Sequence, residues 1–217
     1  LEIRDWRTLN RTFYDTFAAE FSRSREALNP GIGRALLGVD LSWVLDVGCG
    51  DGRVSKAVTG HYVGLDFSAN LIGRNARAST SFALADLASP LPISASSFPT
   101  VLCLATLHHL PDRLALMHEL TRVLKPDGHL VVSVWQITHN ERMRKKIVED
   151  LGNGDYVLNW KSGGEGLRWV HEVSENELRE LGSAAGLDVI EMYRSDGKSG
   201  DLGLYGIFTL TPDPSPF

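Results

Sequence analysis

The chain is poor in the features that mark several protein classes. Only two cysteines, Cys49 and Cys103, occur in 217 residues, too few for a disulfide framework and not spaced as a metal-ligand set, so both read as reduced thiols and no metal is expected. No uninterrupted apolar run approaches the about 20 residues that a membrane-spanning helix needs, so no membrane partner is expected. Positive charge is scarce as well. A net charge of -5 gives no general attraction to nucleic acid and weighs against a stand-alone binder of duplex DNA, while local basic patches stay open. There is no internal repeat and no basic-then-apolar leader, and the start at Leu1 reads as a trimmed cytoplasmic chain. What remains, 43% hydrophobic and 23% charged, is the composition of a globular domain with length for one core.

Against that background one stretch stands out. Val44, Leu45, Asp46 and Val47 form a short apolar run broken by one acid, and Gly48, Gly50 and Gly52 follow at alternate positions. This is the pattern of a buried strand feeding a glycine-rich turn, where positive φ lets the backbone bend sharply and offer its amides to a ligand. A dinucleotide fingerprint needs a third glycine at position 53, which is Arg53, and Asp46 and Asp51 would repel a pyrophosphate. A cofactor with an ammonium group and no phosphates, such as S-adenosylmethionine, suits the acids better. The competing reading is a plain strand-turn-helix with tight glycine packing.

The acid at the strand end recurs. The next apolar run, residues 61–65, ends at Asp66, 16 residues beyond Gly50, a distance that fits one helix and a returning parallel strand. Asp66 can accept from two ribose hydroxyls with Phe67 against the adenine, or cap a helix over 69–77, a role Ser68 can share. A third run, 81–85, leads to Asp86 and Leu87, which suit an adenine amino group and ring; Asp86 also suits a turn. In a doubly wound parallel sheet these strand ends share one crevice. A fourth strand, 99–105, carries Leu104 to the same edge and is followed by His108 and His109. His109 is the expected substrate-facing member, while either histidine can simply cap the next helix or hold backbone.

The flanks are expected to cover the crevice. Trp6, Leu9, Phe13, Phe17 and Phe21 form an aromatic stripe along a helix over 4–28, which leaves Tyr14, Arg23 and Arg25 for a cleft. A polar helix is expected over 139–149 and a glycine-rich surface loop over 152–166. Ser174 with Glu177 forms a capping box for a helix over 175–185, and two last strands, 189–193 and 204–211, read as an antiparallel hairpin before a flexible tail at 211–217.

Between Val44 and Val134 the motifs, in their order and spacing, resemble the class I methyltransferase family. That resemblance implies an α/β fold, a doubly wound and mostly parallel seven-stranded Rossmann-like sheet with helices on both faces, S-adenosylmethionine as cofactor, and His108 and His109 where cofactor methyl and acceptor meet. The flanks are similar to the tRNA wobble-uridine carboxymethyl methyltransferases: Tyr14 and Asp15 through Phe21, Ser22, Arg23, Ser24 and Arg25; Asp155 through Trp160; and Arg168 through Val173. Ser24, Asn159, Trp169 and Val170 depart from that family's pattern. The resemblance implies one domain over 1–210, lid helices over 1–36 and a substrate-side insertion over 152–172. Tyr14, Arg25, Trp160, Arg168 and His171 would then hold a tRNA acceptor, with a small-molecule carboxylate or hydroxyl as alternative. A non-catalytic methyltransferase-fold subunit is the reading from another class, and a protein partner is left open.

Overall fold

The computed structural model describes residues 5–25 and 27–212. Its centre is a seven-stranded sheet of β1 (Trp43–Val47), β2 (His61–Asp66), β3 (Thr80–Leu84), β4 (Phe98–Leu104), β5 (Leu124–Trp135), β9 (Leu187–Ser195) and β10 (Gly203–Leu210), in the order β3-β2-β1-β4-β5-β10-β9. Strands β1 to β5 pair in parallel, whereas β10 runs antiparallel to both β5 and β9. The order reverses beside β1, so the crevice lies at its carboxyl end, where a doubly wound sheet binds ligands.

Both faces of the sheet are buried at its centre, and the two-residue period of the strands there sorts their side chains. Val44, Leu102 and Val131 point to one side, where α3 (Pro30–Leu36) and the 3-10 turn Arg53–Ala57 cover them. Leu45, Val101, Cys103, Leu130 and Val132 point to the other, under α4 (Arg113–Val123) and α6 (Glu175–Ala184). Half of the expected capping box is present: Ser174 Oγ accepts from the Glu177 amide, as Asp112 does from Ala115 at the start of α4, while the Glu177 carboxylate turns to His171 and Arg113.

Four expectations are corrected. The helix over 4–28 is two helices, α1 (Trp6–Thr16) and α2 (Ala18–Arg23), broken at Phe17. Residues 69–77 form turns with no helix; Ser68, the expected cap, donates instead to Asp15 of α1 at 2.6 Å. The polar helix over 139–149 shrinks to α5 (Glu141–Arg144). The glycine-rich loop is half of a second sheet, in which β6 (Ile147–Gly152), β7 (Asp155–Trp160) and β8 (Gly166–His171) pair antiparallel. Gly152 and Gly154 both adopt positive φ in its first turn, where Asn153 does too, so these glycines shape a hairpin. The tail expected over 211–217 lies mostly outside the described residues.

Helix α1 covers the free edge of β8, and one side chain fixes the contact. Asn10 is buried, donates to the Trp169 carbonyl at 3.1 Å and accepts the Trp169 amide at 2.9 Å, closing the edge as a neighbouring strand would. Phe13, Phe17, Phe21 and Trp160 pack beside it. Replacing Asn10 with Ala should orphan the Trp169 amide, leave its carbonyl only the His109 contact, and lower the unfolding free energy by about 2 kcal/mol in urea titrations; a loss below about 0.5 kcal/mol would show that the contact does not hold α1 in place.

Candidate active site

A cavity of about 520 Å³ lies over the carboxyl ends of β1, β2 and β4, roofed by α1, α2 and the small sheet. Its volume is in the range of small-molecule sites. Asp46, Gly48, Gly50, Asp66, Phe67, Asp86, Leu87 and Leu104 line it, so the eight residues expected at a cofactor meet in one place. Tyr14, Arg25, His109, Trp160 and Arg168 line it as well. His108 and His171 do not.

The glycine loop bends as its sequence requires, with positive φ at Gly48, Gly50 and Gly52. A methyl group on Gly48 would collide with Thr106 Oγ1 at 2.1 Å, so this glycine also lets the loop close on the segment after β4. Five of its amides, however, are not left for a ligand. Gly48 and Cys49 donate to the Leu65 carbonyl, Gly50 to Asp66, Gly52 to the Cys49 carbonyl and Arg53 to Asp51. A pyrophosphate would find these donors already used and three carboxylates around them. The loop therefore lacks what a dinucleotide needs, by a route the sequence did not reveal.

The acids are better placed for a cationic and hydroxylated ligand. Asp46 is buried; its Oδ2 accepts the Tyr62 hydroxyl at 2.6 Å, and its Oδ1 is buried with no partner. Burial, with Asp66 adding to it against the Tyr62 hydrogen bond, pushes the Asp46 carboxyl up to about 7. An ammonium group at this wall would satisfy Oδ1. Asp66 accepts the Gly50 amide at 2.8 Å and the Ser68 amide at 2.9 Å, which leaves second lone pairs for ribose hydroxyls; burial raises its pKa despite both amides. Asp86 holds the Ala88 amide and an ion pair with Arg7 of α1 at 3.2 Å. The residues thus fit S-adenosylmethionine at its ammonium and ribose ends.

The opposite wall is basic. Arg168, on β8, is 1% exposed, and its guanidinium stands over the rings of Trp135, Phe13 and Trp160 at 4.6, 4.9 and 5.5 Å. Its Nε and Nη1 are buried without a hydrogen-bonding partner. Burial lowers its pKa, countered by the Tyr14 hydroxyl. Arg25 lies 3.8 Å over the Phe21 ring and is pushed down to about 9 by burial. Lys146, 5.6 Å from the Trp160 ring, is pushed down to about 8 by burial, with Arg168 adding repulsion.

His109 sits between the two walls. Its Nδ1 is 3.2 Å from the Trp169 carbonyl, which can only accept, so Nδ1 carries the proton and Nε2 accepts the Tyr14 hydroxyl at 2.8 Å. Burial and then Arg168 push its pKa down to about 3, so it is a neutral imidazole at physiological pH. His108 is wholly buried against Trp135, with neither ring nitrogen bonded. His171 bridges Asp155 at 2.7 Å and Glu177 at 3.0 Å, and Glu177 in turn pairs with Arg113. Burial opposes its charge, but these two hydrogen bonds prevail and raise its pKa. It locks the small sheet to α4 and α6 and does not face the cavity. Sequence reading passed over Asn10, for which a polar residue inside the stripe between Trp6 and Phe13 was the available signal, and offered Lys146 only as one of a basic run, by default a solvated face, that could lie near the substrate side.

Comparison with known proteins agrees with this geometry. Residues 45–132 match the methyltransferase domain family. An Encephalitozoon cuniculi protein that carries a provisional methyltransferase name is 29% identical over 185 residues, 82% of this chain and 87% of that protein. The Xenopus tropicalis tRNA (carboxymethyluridine(34)-5-O)-methyltransferase is 32% identical over 149 residues, but the match covers 64% of this chain and only 23% of that protein. The Hahella chejuensis ubiquinone biosynthesis O-methyltransferase is 30% identical over 158 residues, 69% of this chain and 64% of that protein. A Methanosarcina mazei structure of an S-adenosylmethionine-dependent methyltransferase superposes with a TM-score of 0.67 at 23% identity, covering 85% of this chain and 99% of that one. Among the described residues no helix is long and apolar enough to cross a membrane.

The Asp46 environment generates a pH test. Accepting from an ammonium group requires the carboxylate, which protonates as pH falls through about 7. Calorimetric affinity for S-adenosylhomocysteine should therefore rise roughly tenfold from pH 6 to pH 8, and Asp46→Asn should flatten that rise. An equal slope in both proteins would remove Asp46 from the cofactor site.

Proposed function

From the premise that the chain is an S-adenosylmethionine-dependent methyltransferase of class I, we propose that its acceptor is a carboxylate and its product a methyl ester. The observation that carries the reading is the cationic wall of buried Arg168 with half-buried Arg25 and Lys146, where Arg168 keeps two nitrogens without partners. A buried guanidinium left in that state is costly, and an acceptor anion removes the cost.

When bound, S-adenosylmethionine supplies a methyl group on a sulfonium, open to in-line displacement by a nucleophile. A carboxylate oxygen is such a nucleophile at neutral pH and needs no base. The protein's tasks are then alignment and exclusion of water. Arg168 and Arg25 hold the anion from one side, and the aromatic rings of Phe13, Trp135 and Trp160 keep the guanidinium in place and the wall dry. His109 stands as a neutral wall residue with Nε2 occupied by Tyr14. A hydroxyl acceptor would have to displace Tyr14 before His109 could take its proton, which favours the carboxylate. The lid comprises α1 and α2, with the small sheet as the substrate-side insertion within a single domain.

The finer reading is a carboxymethyl group on a tRNA wobble uridine, as in the named activity of the Xenopus tropicalis relative; Trp160 and Tyr14 line the cavity that a displaced base would enter. The ubiquinone-pathway relative supports a small-molecule acceptor as the second reading. Incubation with labelled S-adenosylmethionine and either undermodified tRNA or a metabolite extract separates them. Label should appear in tRNA as a base-labile ester, and acceptor KM should rise as pH climbs through about 8, where Lys146 loses its charge; Lys146→Met should abolish that rise. Label that survives mild base in every product would exclude the ester.

A further inference from the structure

A second depression lies between α2 and the 3-10 turn behind the glycine loop, and it continues from the cavity: Arg25, Asp51 and Arg53 line both. Its other charged lining residues are Arg23, Lys56 and Arg74. In a chain of net charge -5, five basic residues converge on one groove. Among the described residues little neutralises them. Asp51 is buried and turns one oxygen to the Arg53 amide at 3.1 Å. Arg53 Nη1 donates to the Arg25 and Ala27 carbonyls, and Arg74 Nε to the Asn70 carbonyl at 2.7 Å, contacts that aim a guanidinium without cancelling its charge. Arg23 alone is paired with a carboxylate there, Glu20 at 2.6 Å, among the described residues. Lys56 and Arg74 stand exposed.

Among the described residues no aromatic side chain lines this groove, whereas Tyr14, Phe21 and Trp160 line the cavity next to it. The division matches how nucleic acid is held, with phosphates positioned by charge and a base read elsewhere by stacking. We propose that the groove holds the phosphodiester backbone of a single-stranded RNA segment adjoining the nucleotide whose base enters the cavity. The proposal rests on the RNA form of the ester reading. The cations sit on α2, on the 3-10 turn and on the turns after β2, so they suit a run of phosphates and exceed what one small anion would engage.

The test uses the charge-reversal variant Lys56→Glu/Arg74→Glu, which touches neither the cofactor wall nor Arg168. The probes are an anticodon stem-loop RNA bearing carboxymethyluridine, the free carboxymethyluridine nucleoside and polyglutamate. Binding of the stem-loop, read by fluorescence anisotropy without turnover, should weaken, and the slope of log affinity against log salt should become shallower by about 1.4 as two single-strand phosphate contacts are lost. Methylation kinetics should show a raised KM for the stem-loop with kcat unchanged, and no change for the nucleoside. Lys56→Gln/Arg74→Gln should fall between, and unaltered affinity for S-adenosylhomocysteine confirms folding. Stem-loop affinity and salt slope equal to wild type would overturn the groove even if the nucleoside is esterified, so the ester reading would survive. Failure of RNA and nucleoside alike to accept a methyl group would strike the ester reading, while weakened binding in the variant would still support the groove. Polyglutamate bound as tightly as the stem-loop would overturn its assignment to RNA.

Discussion

The buried guanidinium of Arg168 is the constraint around which the acceptor side is built. A charge withdrawn from water needs either an opposite charge or polarisable surroundings, and here it has three aromatic rings and the Tyr14 hydroxyl. Those rings come from three places: Phe13 on α1, Trp135 at the end of β5 and Trp160 on β7. Helix α1 is therefore held at two levels, by Asn10 on the backbone of β8 and by Phe13 against Arg168. Burial depresses the pKa of His109, Lys146 and Arg25, and the Arg168 charge adds to that depression in each.

The cavity is polar in the electrical sense. Asp46, Asp66 and Asp86 stand at successive strand ends, and Arg168, Arg25 and Lys146 face them from the roof. A sulfonium cofactor with its ammonium and ribose toward the acids leaves the cationic wall for an anion. On the proposed ester reading, donor and acceptor are sorted by charge before any close contact forms, and the neutral His109 between the walls disturbs neither. The glycine loop adds to the selection, because a phosphate-bearing cofactor finds the amides of Gly48, Cys49, Gly50, Gly52 and Arg53 already used.

The central sheet was legible because each of its parallel strands is a short apolar run ending in a marker residue, and because the glycines of the organising turn must adopt positive φ. Asp46, Asp66 and Asp86 follow from that arithmetic alone. The small sheet was not legible. Its strand β6 is largely exposed and carries little alternation, and its turns are rich in glycine, so local pattern reads as loop; the pairing is stabilised by α1, which lies far away in sequence. The helix expected over 69–77 failed for the converse reason. Its Ser68 cap is diverted to Asp15, and Asn70 is bound to the same residue, so tertiary contacts replace the helical start. Lys146 was hidden within a run of charges that looked like a solvated face, and His171 lies on β8 with Arg168 but is held outside the cavity by two carboxylates.

The central claim is that the charge of Arg168 serves a ligand and not the fold. The direct measurement is thermal unfolding of the Arg168→Met variant without acceptor, beside wild type, with S-adenosylhomocysteine affinity as the check on the cofactor wall. Replacing a buried, unpaired cation by an apolar side chain of similar length should leave stability unchanged or raise it by about 1–4 kcal/mol, while binding of the carboxylate acceptor is lost. A large fall in stability with acceptor binding retained would mean that the guanidinium is a structural strut, and the account of the acceptor site would be wrong.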